Sequence, residues 1–554
     1  MDIKDYIVFL CYFVIVVGYG LYIYYKKKSA SGDSKDYFLA EGSLTWWAIG
    51  ASLIASNISA EQFIGMSGSG FKIGLAIATY EWMAAATLIV VAVFFLPVYL
   101  KNKIFTMPQF LNVRYNGTVS MIMAVFWLLL YIVVNLTSIL FLGALAVSSI
   151  SGLDFQLCMI GLAVFAIIIT LGGMKVIGYT DVIQVFFLIL GGLATTYLAL
   201  NLVSNHFGGD SLLHGFSMVQ EKAADHFHMI LKPDNPNYID LPGLSVLIGG
   251  MWVINLSYWG CNQYITQRAL GADLGTARNG LLFAAVLKLL MPLIVVLPGI
   301  AAFVLYNEGD GLFQKEMLSA GELNPDRAYP MLLSLLPTGL KGLSFAALTA
   351  AVVASLAGKA NSIATIFSLD IYQKIFDKQA SERKLVNVGK LTIIISMVLA
   401  IIIAPHLGID KKGGFQYIQE YTGFVSPGIF AMFLLGFFWK KTTSNAALFA
   451  TIGGFIMSIV LKFLPNFMDL SFLASSGFSI PVNGVYEIPF IDRVGFVFLF
   501  CIIGMYFISI YDNKRGIVPN GLEVDTKMFK TKTGFAVGAL LVLGITAALY
   551  TIFW

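Results

Sequence analysis

The chain has 554 residues, of which 58% are hydrophobic and only 12% charged, with a mean hydropathy of +0.81. A soluble domain carries about a quarter charged residues, so this composition excludes a water-soluble globular protein and turns most of the surface toward lipid. The net charge of +4 comes without an arginine-rich arm and gives no footprint for nucleic acid.

Apolar runs of roughly 20 residues, each able to cross a ~30 Å hydrocarbon core as a helix, begin near residues 5, 45, 74, 119, 155, 178, 242, 277, 342, 388, 413, 444, 490 and 534. They predict an all-α polytopic membrane protein with about fourteen transmembrane helices. The first run, roughly Tyr6 to Tyr25, is followed rather than preceded by Lys26, Lys27 and Lys28, which marks a permanent span and not a cleaved signal.

The second run is interrupted by Ala55-Ser56-Asn57-Ile58-Ser59-Ala60-Glu61-Gln62, and the seventh by Asn255-Leu256-Ser257-Tyr258-Trp259-Gly260-Cys261-Asn262-Gln263 in the same relative position. Lipid offers no hydrogen bonds, so backbone freed from a helix at this depth must line a cavity or hold a ligand. Two interrupted spans five apart are the pattern of inverted five-helix repeats around a midplane site. The expected division is a peripheral helix and linker (1–40), a first repeat (41–205), an outer loop (206–240), a second repeat (241–440) and peripheral helices (441–554).

Ionisable residues inside spans are costly and point to function. Glu81 lies early in the third span and Lys288 well inside the eighth; they either pair to lock the bundle or face a polar solute. Gln62, Asn255 and Gln419 add amides that both donate and accept, and Tyr80, Tyr258, Trp259 and Phe415 add rings. Together they make the inventory for a neutral polyol such as a sugar. In the ninth span, Ala350-Ala351-Val352-Val353-Ala354-Ser355-Leu356-Ala357-Gly358-Lys359 is small enough for close helix approach. A hydroxyl and a carbonyl there, facing the break in the second span, would complete an oxygen cage for a small hard cation.

Cys11, Cys158, Cys261 and Cys501 are widely spaced and read as small buried hydrophobes. His226 and His228 read as solvated loop residues with at most weak metal affinity. The basic residues Lys26 to Lys28, Lys101, Lys103, Arg114, Arg268, Arg278, Lys374 to Lys390, Lys440, Lys441 and Lys514 to Lys532 fall on one side. That side carries roughly twice the Lys and Arg of the other, which places it in the cytoplasm and both termini outside. No catalytic His, Cys or metal cluster lies in the spans and no signalling domain follows them, so neither an enzyme nor a sensor is expected.

The run from Ala51 to Gly70 and the stretches Tyr258 to Arg268 and Phe415 to Gly428 resemble the sodium/solute symporter family, in particular its bacterial sodium–sugar members. The resemblance implies a leucine-transporter-like five-plus-five core in a bacterial cytoplasmic membrane. It implies sugar contacts from Gln62, Glu81, Asn255, Lys288 and Gln419, an inner gate at Tyr258 beside Trp259, and an outer cap of Met66, Tyr80 and Phe415. Sodium would be held by the carbonyls of Ala55, Ile58 and Ala351 and the hydroxyl of Ser355, with Asp181 on its exit route. Three positions depart from those members: Ala84 and Ala354 stand where serines contact sugar and sodium, and Lys359 stands at an apolar position.

Lys359 shares a helix face with Ser355 and leans back toward the cation site. It either weakens or replaces sodium there, or it pairs with Asp181 or snorkels to cytoplasmic water. The expected function is sodium-coupled symport of a neutral sugar of the galactose/glucose class by alternating access, with Na+ as coupling ion, no organic cofactor, and sugar and lipid bilayer as partners. The alternatives are a sodium symporter for an amino acid or acidic sugar, or a sodium-independent or proton-linked sugar carrier. The residues carry no signal of oligomeric state.

Overall fold

A chain this apolar must pair its own backbone groups, and helices do so within each segment. The structure, a computed structural model, describes residues 2–26, 44–319, 321–406 and 414–554. Lys27, Lys28 and the rest of the expected linker to residue 40 lie outside them. In chain order the main helices are α1 (Ile3–Lys26), α2 (Trp46–Asn57), α3 (Ser67–Ile73), α4 (Thr79–Val90), α5 (Gly117–Leu129), α6 (Thr137–Ser151), α7 (Phe155–Thr170) and α8 (Met174–His206). Then come α9 (Gly250–Cys261), α10 (Gln263–Leu270), α11 (Leu274–Asn307), α12 (Leu340–Thr365), α13 (Glu382–Ile403), α14 (Gly414–Gly423) and α15 (Ser426–Phe438). The last three are α16 (Gly454–Phe463), α17 (Phe490–Lys514) and α18 (Thr533–Ile552).

Among the described residues ten helices are long and apolar enough to cross a membrane, and the pair Phe415–Gly423 and Ser426–Phe438, bent by 52°, makes an eleventh. The expected number is not reached by length and composition alone. The segments 46–73 and 250–270 are broken, and α7 has only 16 residues. Two short hairpins interrupt the all-helical pattern: Leu318–Ser319 pairs with Glu322–Leu323, and Ile480–Val482 pairs with Val485–Glu487. The second turns on Asn483 and Gly484, both at positive φ as a two-residue hairpin demands.

α11 is the axis of the molecule, packed by α2, α3, α4 and α8, while α12 packs against α8, α1 and α7. These two helices are buried along most of their length, whereas α1 and α18 expose Leu10, Val14, Leu540 and Leu541. Cys11 belongs to that exposed face, contrary to the expectation that all four cysteines are buried; the other three are.

Three of the arginines counted as loop charges, Arg114, Arg268 and Arg278, are not solvated. Arg114, fully buried, donates to the carbonyls of Gly436 (2.7 Å), Thr442 (3.0 Å) and Trp439 (2.9 Å) at the end of α15. Arg278 donates to the carbonyls of Ala92, Lys530 and Met528 at 2.8–3.0 Å. A guanidinium carries five fixed donors, so one side chain closes several helix-end acceptors at once. His226 also departs from the solvated reading. Its ring lies 3.9 Å from that of Phe303 and its Nε2 is 3.1 Å from the Phe71 carbonyl, which docks the 206–240 loop on α3 and α11. Burial lowers its pKa. His228 is exposed as expected.

Arg114→Met is expected to lower stability by about 3 kcal/mol, because several buried carbonyls lose their donor together. Arg114→Lys should recover less than half of the loss. Thermal unfolding in detergent reads both, and an Arg114→Met midpoint equal to that of the parent would remove this account.

Candidate functional site

The site is built around the break after α2. The helix ends at Asn57, Ile58 turns extended (φ −84°, ψ 108°), and a π-helical turn, Glu61–Met66, leads into α3. Local side chains take over the lost backbone partners: Gln62 Oε1 accepts from the Ser59 N–H (3.0 Å), and Ser59 Oγ accepts from the Glu61 N–H (3.2 Å). This is the logic of a capping box, Ser-x-x-Gln, set inside the protein instead of at a helix start in water. Gln62 therefore holds the break in shape with the group that was expected to contact solute.

The second break falls within the expected run, near its end. Asn255, Tyr258 and Trp259 remain within α9, and only Asn262 is extended (φ −109°, ψ 125°). The Tyr131 hydroxyl donates to Asn262 Oδ1 and accepts from the Gln263 N–H at 3.2 Å, so one tyrosine closes this gap. A polar run in a span does not by itself locate the break; the residue whose backbone partner is supplied from another helix does.

Between the two breaks Lys288, fully buried on α11, donates to Glu81 (2.5 Å) and to Asn57 Oδ1, and its ammonium lies 5.2 Å from the centre of the Trp259 ring. Asn57 Nδ2 in turn donates to the Tyr258 hydroxyl at 2.9 Å. Asn57 is thus the hinge of the network, and it was not singled out as a site residue although it stands in the interrupted run. Asn255 donates to its own helix, at the Met251 carbonyl (3.2 Å). Gln419 sits half-buried on α14. Ala84 is buried on α4, one turn from Glu81.

Both ends of this centre are closed. On one side the Tyr80 and Phe415 rings meet edge-on at 4.9 Å, and Phe415 is seated on the π-helical turn. A Cβ on Gly65 would stand 2.7 Å from the Phe415 nitrogen, so only glycine permits that approach. Met66 is fully buried at the end of the same turn. On the other side Tyr258, half-buried, meets Trp259 at 5.1 Å and Tyr264 at 5.7 Å.

Beyond Tyr258 lies a second polar cluster. Ser355 Oγ on α12 donates to the Ser56 carbonyl (3.0 Å), tying α12 to the end of α2, with Ala55, Ile58, Ala351 and Ala354 buried around it. Asp181 on α8 accepts from Ser52 Oγ (2.5 Å) and pairs with Arg268 at 3.8 Å; Arg268 also donates to Ser52 Oγ (2.8 Å) and to the Tyr264 carbonyl. Arg268 was expected in a cytoplasmic loop, and it is 1% exposed because α10 runs back into the protein.

Lys359 does not meet Asp181 and does not snorkel. It is buried, donates to Ser355 Oγ at 3.3 Å, and lies 4.6 Å from the centre of the Tyr264 ring. The neutral oxygens here, Ser355 Oγ and the carbonyls freed at Ile58, suit a small hard cation such as sodium. Ser56 Oγ and Glu61 Oε1 are buried acceptors without a hydrogen-bond partner among the described residues, which leaves capacity for one. Two unit charges 4 Å apart repel by about 4 kcal/mol at an effective dielectric of about 20, so sodium and the ammonium cannot both sit comfortably at Ser355.

Residues 37–454 match the model of the sodium:solute symporter family. The sodium/glucose cotransporter of Vibrio parahaemolyticus is 46% identical over 99% of this chain and 98% of its own. Human sodium/myo-inositol cotransporter 2 is 33% identical over 82% of this chain and 69% of its own. Among solved structures, the substrate-bound outward-open state of a Na+-coupled sialic acid symporter matches with a TM-score of 0.76 at 22% identity, over 92% of this chain and 98% of that one. That last likeness bears on the fold alone.

Lys288→Met or Glu81→Gln alone is expected to cost about 3–5 kcal/mol, because each strands a buried partner, while the double substitution should restore most of it. Unfolding midpoints of the three variants give the coupling. Additive losses in the double variant would show that the pair is not a unit.

Proposed function

The chain belongs to the sodium:solute symporter family, and from that premise we propose that it carries a neutral sugar of the galactose/glucose class into the cell by alternating access, with sodium as coupling ion. The carrying observation is the Lys288–Glu81–Asn57–Tyr258 network, buried midway between two helix breaks and closed by aromatic residues on both sides. A sugar presents hydroxyls that both donate and accept. It would insert into this network by exchanging hydrogen bonds with Lys288, Glu81 and Asn57, with Gln62, Asn255 and Gln419 completing the set and Met66, Tyr80, Phe415, Tyr258 and Trp259 as gates.

The charge balance supports a neutral solute over the acidic alternative. Lys288 already carries a carboxylate, so an amino-acid or acidic-sugar carboxylate would add an uncompensated negative charge to a buried pair. The relatives named for glucose and myo-inositol carry neutral polyols, which agrees in class. Ala84 removes one hydroxyl beside Glu81, so the order of preference among sugars would differ from that of members with serine there.

The fourteen-span architecture belongs to the same proposal. Counting the broken segments 46–73 and 250–270 and the short α7 with the bent pair and the ten long helices gives fourteen spans, with 41–205 and 241–440 as the two inverted repeats and both termini outside a bacterial cytoplasmic membrane. Sodium, bound where α12 meets the break, would order the end of α2 and so favour sugar; rocking of the repeats would then open both to the cytoplasm, past Asp181 for the ion. A membrane potential supplies ~2.3 kcal/mol per charge per 100 mV, and a tenfold sodium ratio adds ~1.4 kcal/mol. One sodium therefore suffices to hold a sugar gradient of several hundredfold, on the order of 10^2.7.

In proteoliposomes, labelled galactose or glucose is expected to accumulate under an inward sodium gradient and to be competed by unlabelled neutral hexoses but not by sialic acid or amino acids. Flux competed only by acidic solutes would overturn the neutral-sugar reading. Ala84→Ser is expected to change the galactose-to-glucose preference by several-fold, since one buried hydrogen bond is worth about 0.5–1.5 kcal/mol; an unchanged ratio would place Ala84 away from the sugar.

A further inference from the structure

We propose that Lys359 is a tethered competitor of the coupling cation: its ammonium holds the Ser355 hydroxyl, and sodium binds there only by displacing it toward Glu61. The inference rests on the proposed cation site at the end of α2, and it deepens that reading by naming what sets the affinity of the site.

Four observations converge. The Ser355 hydroxyl donates to the Ser56 carbonyl, at the last turn before the break, so α12 supplies a side-chain oxygen to the backbone there. Lys359 Nζ donates to that same hydroxyl at 3.3 Å from the next turn of α12, fully enclosed by protein. Position 354, one residue before Ser355, is alanine, so no second hydroxyl from this turn compensates.

The fourth observation supplies the alternative berth. Glu61 stands on the π-helical turn just beyond the break, and its Oε1 is buried with no hydrogen-bond partner among the described residues. Retreat in the opposite direction is blocked. The guanidinium of Arg268 packs against the neighbouring turn of α12, where a Cβ on Gly358 would stand 2.6 Å from its Nη2, and its charge is committed to Asp181. The Tyr264 ring closes a further side at 4.6 Å from the ammonium. Lys359 thus holds Ser355, the oxygen a sodium ion needs, while the carboxylate of Glu61 beyond the break still has an unused acceptor.

The exchange moves charge without leaving any group bare. With the ammonium on Ser355, the cluster holds one cation beside Glu61. With sodium on Ser355, Lys359 pairs directly with Glu61 and the arriving charge is shared by oxygens that had no partner, Ser56 Oγ among them. Sodium affinity is consequently weaker than the oxygen cage alone would provide. Removing the ammonium from Ser355 while keeping the apolar stem isolates that effect, which is what methionine does; arginine retains the charge.

The test is a sodium titration of the purified protein without sugar, read as the thermal unfolding midpoint in detergent, with choline replacing sodium at constant ionic strength. Lys359→Met is expected to respond at a sodium concentration at least about tenfold lower than the parent, equivalent to ~1.4 kcal/mol, and Lys359→Arg to stay close to the parent. Ser355→Ala added to Lys359→Met should abolish the gain, which ties it to this site. A parent that shows no sodium response while Lys359→Met acquires one would support the proposal in its strongest form, with sodium excluded altogether. Equal midpoints in parent and Lys359→Met, or no response in either, would overturn it. Because sugar is absent, a failed sugar assignment leaves this result readable, and sugar flux with equal sodium midpoints sinks the proposal alone.

Discussion

The rest of the structure depends on one constraint: a helix interrupted inside an apolar protein must find new partners for its backbone. At Ile58 the ladder stops, and two kinds of partner replace it. Gln62 and Ser59 accept from the backbone N–H groups of Ser59 and Glu61, and Ser355 bonds the Ser56 carbonyl from α12; at the same point the Asn57 side chain reaches outward to Lys288 and Tyr258. Each substitute is also a candidate binding group. The solute network, the ion cluster and the inner gate are therefore coupled through one short stretch of chain, so whatever orders the break is felt at all three.

The same economy governs charge. Buried ions are costly singly and tolerable when paired, and the interior here is organised as pairs joining different helices: Lys288 with Glu81 across α11 and α4, Arg268 with Asp181 across α10 and α8. Arg114 and Arg278 instead close carbonyls at helix ends. Lys359 differs from all of these. Its partner at hydrogen-bond distance is a neutral hydroxyl rather than a carboxylate or a helix-end carbonyl.

Much of this was legible in the residues. The order of helices, a break within residues 55–62 and the placing of Glu81, Lys288 and Lys359 inside spans follow from apolar run length and from the cost of ions in lipid, both local properties. What was not legible involves partners distant in the chain. The polar run 255–263 held the second break without fixing its residue: α9 continues to Cys261, and Tyr131 from another helix closes the gap at Asn262. Arg268 and Arg114 read as loop charges because nothing local reveals that the chain turns back inward. The bond by which Gln62 Oε1 holds the Ser59 N–H was not read, although the Ser59-to-Gln62 spacing is that of a capping box and was a usable signal.

By itself the sequence determined that this is a many-spanning helical membrane protein, of which family, and where its main helix stops, because hydropathy, run length and the residues at an interrupted span act within one segment. Only the tertiary structure decided which polar group meets which: that Lys288 takes Glu81 and Asn57, that Asp181 takes Arg268, and that Lys359 is left facing Ser355. Those choices depend on helix rotation and crossing, which arise from the packing of α2, α4, α8, α10, α11 and α12 together, and no single segment encodes them.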